Sequence, residues 1–138
     1  MQKLHTELMV LCDYASVSRE GKLSINGVFD EVWVQNFPGG VARAFLVATI
    51  SGTPNTNYKL DLKVKNNVGA KSPINSLTLD TTTAVNGKNN LIVELINLGF
   101  EKTGEYEFEL YNGSESVGST TLKVDHVAKR EEKARTVN

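Results

Sequence analysis

Apolar and charged residues alternate strictly in "GEYEFELYNG", residues 104–113, and this pattern constrains the fold more than any other segment. Successive side chains of a β-strand point to opposite faces of its sheet. One face therefore carries three apolar residues: Tyr106, Phe108 and Leu110. The other face carries three glutamates: Glu105, Glu107 and Glu109. We predict a half-buried strand whose apolar side enters the core and whose acidic side meets water or a charged neighbour.

Residues 58–65 alternate in the same way, and the polar positions of this second strand are mostly lysines. These are Lys59, Lys63 and Lys65. If the two strands are neighbours in a sheet, each lysine–glutamate pair across them contributes a few tenths of a kcal/mol. The pattern therefore predicts a charge-matched, solvated outer face. An acidic binding stripe formed by the three glutamates is the alternative.

The remaining apolar segments are short and are separated by turn residues such as "SREG", "FPGG" and "VNGKNN". They cover residues 5–15, 22–35, 43–52, 74–80, 90–98 and 118–127. This spacing predicts an all-β fold, an antiparallel β-sandwich of about eight strands that is immunoglobulin-like or has Greek-key links. Residues 43–52 are apolar on both alternations, so this strand is predicted to be central or covered on its second face. Gly27 interrupts another strand and predicts a bulge.

The chain has 138 residues, one cysteine and a formal net charge of -1. We predict a single sandwich domain over residues 1–127 and a charged C-terminal tail over residues 128–138. The charge argues against nucleic acid as a partner, and no segment has the roughly twenty apolar residues that a membrane span requires. Because one cysteine cannot form an intrachain disulfide, the sequence suits the reducing cytoplasm.

The segment "EKTGEYEFEL", residues 101–110, is similar to the tyrosine corner of immunoglobulin-like sandwiches. In that motif a turn precedes a tyrosine whose hydroxyl bonds to the backbone upstream. Tyr106 is then able to bury its ring while its hydroxyl has a local partner. The motif predicts a structural role for Tyr106 and indicates no ligand.

Motifs for catalysis, cofactors and metals are missing from the sequence. Asp30 and Glu31 are adjacent strand residues that face opposite sides, so they form no acid/base pair. His5 and His126 could approach each other only if the first and last strands do, and zinc normally takes three or four protein ligands. Cys12 lies in an apolar strand, which favours a buried, inert thiol. We predict no enzyme activity, no cofactor and no metal site.

Two functions remain open. The first is protein–protein interaction by a non-enzymatic sandwich, with a homo-oligomer formed through sheet faces or edges as one form of it. The second is a small-ligand or carbohydrate-binding module in which Trp33, Phe37 and Tyr111 are the candidate binding residues. The loops at 52–57 and 85–90 would then form polar rims.

Three strands resemble those of a family of small bacterial β-sandwich proteins of unknown function. They contain "LCDYA" (11–15), "GKLSINGVFD" (21–30) and "GEYEFEL" (104–110). Because these segments span nearly the whole chain, the resemblance is to the domain rather than to one motif. It implies a β-sandwich without an established activity, and it carries over no catalytic or binding residues.

Overall fold

The computed structural model describes residues 3–128 and folds them into nine strands. They are β1 (His5–Val17), β2 (Leu23–Phe29), β3 (Glu31–Val34), β4 (Gly39–Ser51), β5 (Asn57–Asn66), β6 (Leu77–Thr82), β7 (Lys88–Phe100), β8 (Gly104–Asn112) and β9 (Glu115–His126). Of the predicted charged tail, only Ala128 belongs to the described residues; the rest lies outside them.

The strands form two sheets, and this confirms the predicted β-sandwich. The four-stranded sheet has the order β2-β1-β4-β7, and the five-stranded sheet has the order β3-β9-β8-β5-β6. The orders β1-β4-β7 and β9-β8-β5 match strands A-B-E and G-F-C of the immunoglobulin fold. One pair departs from the antiparallel prediction, because β3 runs parallel to β9.

The core lies between the sheets and is built from the inward alternation of β1, β4, β5, β7, β8 and β9. Its largest fully buried side chains are Tyr106, Phe100, Phe108, Leu11, Leu46, Ile50, Leu60, Leu62, Leu95, Leu98, Leu110 and Leu122. The rings of Phe100 and Tyr106 meet edge to face with centroids 4.8 Å apart. Burial of each such side chain stabilises the fold by about 1.5 to 3 kcal/mol.

The apolar side of β8 enters this core as the alternation predicts. Tyr106, Phe108 and Leu110 have no exposed surface. The Tyr106 hydroxyl donates a hydrogen bond of 2.8 Å to the carbonyl oxygen of Lys102, which confirms the tyrosine corner. Burial of the ring raises the pKa of Tyr106, so the hydroxyl remains a donor at neutral pH.

Residues 22–35, predicted as one strand, form two strands that belong to different sheets. The chain leaves the four-stranded sheet after β2 and enters the five-stranded sheet at β3. At the crossing, the Lys123 amide donates a hydrogen bond of 2.8 Å to the Asp30 carbonyl oxygen. This bond to β9 precedes the β3–β9 pairing, so the transfer between sheets takes place at a single residue. The prediction of one continuous strand was wrong.

Each outer strand of the four-stranded sheet contains one residue with left-handed backbone geometry. These are Gly27 in β2, with φ of 69°, and Asn97 in β7, with φ of 55°. The β1–β2 register is the same on both sides of Gly27, so the predicted bulge is wrong. Glycine is required there because a Cβ would overlap the Asp13 carboxylate. At Asn97 the burial alternation of β7 shifts, since Leu95 and Leu98 are both buried.

Candidate functional site

The outer face of the five-stranded sheet carries the predicted lysine–glutamate pairs. Strands β5 and β8 are neighbours, with Lys63 opposite Glu109 and Lys65 opposite Glu107. The Lys65 ammonium lies 3.2 Å from the Glu107 carboxylate and 3.0 Å from that of Glu109. Lys63 instead stands over the ring of Tyr111, 5.3 Å from its centroid. The prediction that lysines and glutamates pair across this face is confirmed for Lys65 with Glu107 and Glu109.

Glu109 differs from its two neighbours, because it is only 9% exposed. Its carboxylate accepts two hydrogen bonds of 2.6 Å, one from the Tyr111 hydroxyl and one from the Ser116 hydroxyl. With Lys65 as a third partner, these groups replace the water that a surface carboxylate would bind. The prediction that Glu109 faces solvent was wrong. This Glu109 network joins strands β5, β8 and β9.

The network keeps its charges over a wide pH range. Hydrogen bonds from Ser116 and Tyr111 lower the pKa of Glu109 to about 2. The bonds to Glu109 and Glu107 raise the pKa of Lys65, and the bond to Glu109 raises the pKa of Tyr111. A carboxylate with so low a pKa is a poor general base near neutral pH. The network is therefore built to connect strands.

A shallow depression of about 260 Å³ lies beside the Glu109 network. It is lined by Lys65, Asn66, Asn67, Glu105, Glu107 and Thr121. Any acidic binding stripe on this face would lie here. Glu107 is paired with Lys65, which leaves Glu105 as the exposed carboxylate.

Trp33 and Phe37 lie near one end of the five-stranded sheet, and both are half-buried. Trp33 is on the edge strand β3, opposite Asp125 of β9. Phe37 follows β3 and stacks on the ring of His126, with centroids 6.1 Å apart and planes inclined by 28°. Phe37 also packs against the core, so part of this aromatic group is structural.

Tyr111 lies near the other end of the same sheet. It is opposite Ser116 of β9, whereas Trp33 is opposite Asp125. The strand advances nine residues between these two positions, which corresponds to roughly 30 Å. The three aromatic residues predicted from the sequence are therefore not brought together into one site.

A groove lies at the edge strand β7, between its residues 94–99 and the segment 71–77. Its volume is about 660 Å³, and its apolar lining comes from Ile74, Leu77, Leu95 and Ile96. The amide of Lys71 donates a hydrogen bond of 2.6 Å to the Glu101 carboxylate, which ties the loop to the residue after β7. None of the three predicted aromatic residues lines the groove.

The outer face of the four-stranded sheet is mostly apolar, and we call it the apolar outer face. Sheet register and alternation place nine apolar residues on it: Leu8, Val10, Cys12, Tyr14, Val28, Phe45, Val47, Ile92 and Ile96. Cys12, Phe45 and Val47 form its buried centre, and Ala15, Leu23 and Ile25 belong to the same packed cluster. The prediction that strand 43–52 is covered on its second face is confirmed for Phe45 and Val47.

The perimeter of the apolar outer face remains open to solvent. The exposed fractions are 38% for Leu8, 49% for Tyr14, 60% for Val28 and 61% for Ile96.

Two charged residues lie beside the buried centre of this face. Arg43 binds the Glu94 carboxylate through Nε and Nη2 at 2.6 Å. Its guanidinium also stands 5.1 Å from the centroid of the Phe45 ring, which meets the Tyr14 ring in a T-shaped contact with centroids 5.5 Å apart. A second ion pair, Lys88–Glu7, and a hydrogen-bonded pair, Thr49–Asn90, lie further along the same face, where the sheet register places Lys88, Thr49 and Asn90.

The remaining candidates from the sequence are His5, His126 and Cys12. The Thr6 side chain lies against Gly118, which is eight residues from His126, so His5 and His126 are separated by roughly 26 Å along β9. Cys12 is buried, and burial raises the pKa of its thiol. Within residues 3–128, no three His, Cys, Asp or Glu side chains form a group that could hold a metal ion. No helix in that range is long and apolar enough to cross a membrane.

The sequence matches the profile of a protein family over residues 7–125. That family is described as "Family of unknown function (DUF6941)". The chain belongs to this family. No curated protein matches the sequence.

Three solved structures are similar in fold to this family member. A GH3 β-glucosidase from Bifidobacterium adolescentis is 9% identical with a TM-score of 0.52, over 90% of this chain and 17% of the enzyme. A β-glucosidase from Listeria innocua, in complex with glucose, is 11% identical with a TM-score of 0.49, over 91% and 16%. An immunoglobulin-like protein from Pseudomonas aeruginosa is 13% identical with a TM-score of 0.45, over 88% and 96%.

The chain spans about one sixth of the length of the two β-glucosidases. At this level of identity, the similarity to the Bifidobacterium enzyme shows the fold alone.

Sequence reasoning missed the residues that distinguish the apolar outer face of this family member. Val28 lies on β2 and Ile96 on β7, and the sequence alone does not show which strands lie next to these two in the sheet. Arg43 and Glu94 are 51 positions apart in the chain. The double apolar alternation of residues 43–52 was the available signal, and it identified the central strand but not the strands around it.

Proposed function

We propose that this family member acts by binding protein rather than by catalysis, and that it binds through the apolar outer face. The observation that carries the proposal is the exposure of Leu8, Tyr14, Val28 and Ile96 around one sheet face. Apolar residues grouped on a surface are typical of protein interaction sites, whereas scattered ones are ordinary. Here the sheet register groups them on one face.

The composition of the five-stranded sheet supports the choice of face. Its outer face carries ion pairs and the Glu109 network, so the charged groups of these pairs already have partners within the chain. The low pKa of Glu109 and the raised pKa values of Lys65 and Tyr111 place these groups far from the neutral range in which general acids and bases work. These features favour a non-catalytic role. A buried single thiol favours action in the cytoplasm.

Affinity capture with variant baits tests the proposal. Val28→Asp and Ile96→Asp each place a charge on the apolar outer face, at positions exposed enough to leave folding intact. Val85→Asp is the matched control, because Val85 is 81% exposed on the turn between β6 and β7. We expect the wild type and V85D to capture the same partner from cells of the source organism, and V28D and I96D to lose it.

Equal capture by all four baits would contradict the use of this face. Thermal unfolding of each bait checks that the folded state is intact, since substitutions at exposed positions normally change stability by less than about 0.5 kcal/mol.

The groove at β7 favours a second candidate function, the binding of a small ligand. Its volume of about 660 Å³ lies in the range of ligand pockets, and it combines apolar walls with the charged groups of Lys71, Glu94 and Glu101. Amide NMR shifts measured during titration with glucose and with cellobiose test the carbohydrate form of this candidate. Saturable shifts confined to residues 71–77 and 94–101 would support it, and unchanged spectra with both sugars would contradict it.

A further inference from the structure

We infer that the partner of the apolar outer face is a second copy of the same chain, bound face to face about a two-fold axis. This inference rests on the proposed function and names its partner. A two-fold interface uses the same surface patch on both subunits, so the patch must be complementary to itself. The distribution of charge on the apolar outer face meets this requirement.

Arg43 and Glu94 provide the complementarity. They lie on the neighbouring strands β4 and β7, close to the buried centre of the face, and both side chains retain exposed surface. A two-fold axis that passes between them sets each Arg43 opposite Glu94 of the second copy. Each Glu94 carboxylate is then shared between two guanidinium groups, and neither Arg43 nor Glu94 meets a like charge across the axis.

A partner with a large net charge would gain little from this surface. The face presents two ion pairs, Arg43–Glu94 and Lys88–Glu7, whose charges neutralise each other, among nine apolar residues. Attraction to a strongly basic or acidic protein requires an excess of the opposite sign. A surface of the same composition has no such excess and matches the apolar perimeter as well.

The area of the face sets the strength of the association. Four strands spaced by about 4.8 Å and four rows of side chains spaced by about 6.7 Å give a face of roughly 19 by 27 Å, or about 500 Å² per copy. Two copies then bury about 1,000 Å² in total, which is the lower end for specific interfaces. We therefore expect a dimer that dissociates at micromolar concentrations.

Sedimentation equilibrium over a concentration series tests the inference. The wild-type mass should rise from the 15.1 kDa of one chain toward twice that value. V28D should keep the mass of one chain at every concentration, and V85D should behave as the wild type. Arg43→Glu gives each copy two acidic groups at the interface and Glu94→Arg gives two basic groups, so each of these variants alone should remain monomeric.

Mixing R43E with E94R provides the decisive readout. Across the interface, both acidic groups of one copy then face both basic groups of the other, so the mixture should form a heterodimer although neither variant associates alone. An effect of the substitutions within each chain cannot produce this recovery. Failure of the mixture to associate, when the wild type does dimerise, would overturn the proposed arrangement.

The same measurements separate this inference from the proposed function. A wild type that stays monomeric, while V28D loses a different protein in affinity capture, would overturn the second copy as partner and keep the face as a binding surface. A wild type that dimerises equally well as V28D and R43E would show that another surface forms the dimer. A monomeric wild type with unchanged capture by V28D would overturn both proposals.

Discussion

The two outer faces of this sandwich differ in the side chains that they present to water. On the five-stranded sheet, Lys65, Tyr111 and Ser116 surround the carboxylate of Glu109 and satisfy its charge within the chain. On the four-stranded sheet, apolar residues bury Val47 and Cys12 at the centre and leave Val28 and Ile96 exposed at the perimeter.

The difference teaches that a buried position on an outer face has two physical meanings. Glu109 is covered by Lys65, Tyr111 and Ser116, which satisfy its carboxylate, so this group requires no further partner from outside. The apolar outer face is covered only at its centre, and burial of its exposed perimeter against another surface would be energetically favourable. The predictions below test each face by removing one contribution at a time.

Phe45→Ala should produce the largest loss on either outer face. Phe45 is 7% exposed, and its removal leaves a cavity beneath Arg43 and Tyr14. We expect the free energy of unfolding to fall by about 3 kcal/mol, close to the loss of about 3 to 5 kcal/mol for Phe108→Ala in the central core. Chemical denaturation of both variants measures the two losses. A loss for Phe45→Ala below about 1 kcal/mol would mean that this face is ordinary surface.

Glu109→Gln should cost less, because it preserves the shape of the side chain and removes only its charge. The amide has one oxygen to accept from Tyr111 and Ser116, and its nitrogen is a donor that both hydroxyls must accommodate. We expect the free energy of unfolding to fall by about 1 to 2 kcal/mol. Glu105→Gln, at an exposed position of the same strand, is the matched control and should be nearly neutral. Equal stability of the two variants would refute the role given to the Glu109 network.

The difference between the wild type and Glu109→Gln should disappear in acid. The pKa of Glu109 is about 2 in the folded chain, compared with 4.5 for a glutamate that has no partners. Because the folded pKa is the lower one, the stabilisation is complete above pH about 4.5 and is lost as the pH falls through about 2. Urea denaturation at a series of pH values measures this convergence. Parallel curves for the two proteins across that interval would contradict it.

Glu107→Ala should produce the smallest effect. The Lys65–Glu107 pair spans 3.2 Å at a solvent-exposed site, and Lys65 retains Glu109 as its second partner. We expect a loss of less than about 1 kcal/mol that shrinks further in high salt, where exposed ion pairs are screened. Denaturation at low and high salt gives both values. A loss larger than that of Glu109→Gln would reverse the ranking of the two carboxylates.

The side of β8 that enters the core could be predicted because alternation is a local property of the chain. Tyr106, Phe108 and Leu110 needed only the period of a strand, and the corner at Tyr106 needed only a bond to a residue four positions earlier. The same reasoning placed all three glutamates in solvent. It failed for Glu109 because its cover depends on the register that brings Ser116 opposite Tyr111 in the β8–β9 hairpin.

Sheet order limited the remaining predictions. The double alternation of β4 indicated a covered second face, but the neighbours that cover it come from β1, β2 and β7, and no local pattern names them. Residues 22–35 were likewise predicted as one strand, because the alternation of apolar and polar residues does not reveal that the chain changes sheet at Asp30. The distance of roughly 30 Å between Trp33 and Tyr111 is also a property of register alone.

Gly27 and Asn97 have a consequence for how far assembly proceeds. A left-handed residue rotates the peptide groups on either side of it, so the row of outward donors and acceptors along its strand is interrupted. Both outer strands of the four-stranded sheet contain such a residue, which makes each of them a poor template for another chain. Strand-by-strand growth into fibres is thereby disfavoured at the two sheet edges that flank the apolar outer face. In the proposed two-fold dimer, association through the apolar outer face would then end in a closed particle instead of an open polymer.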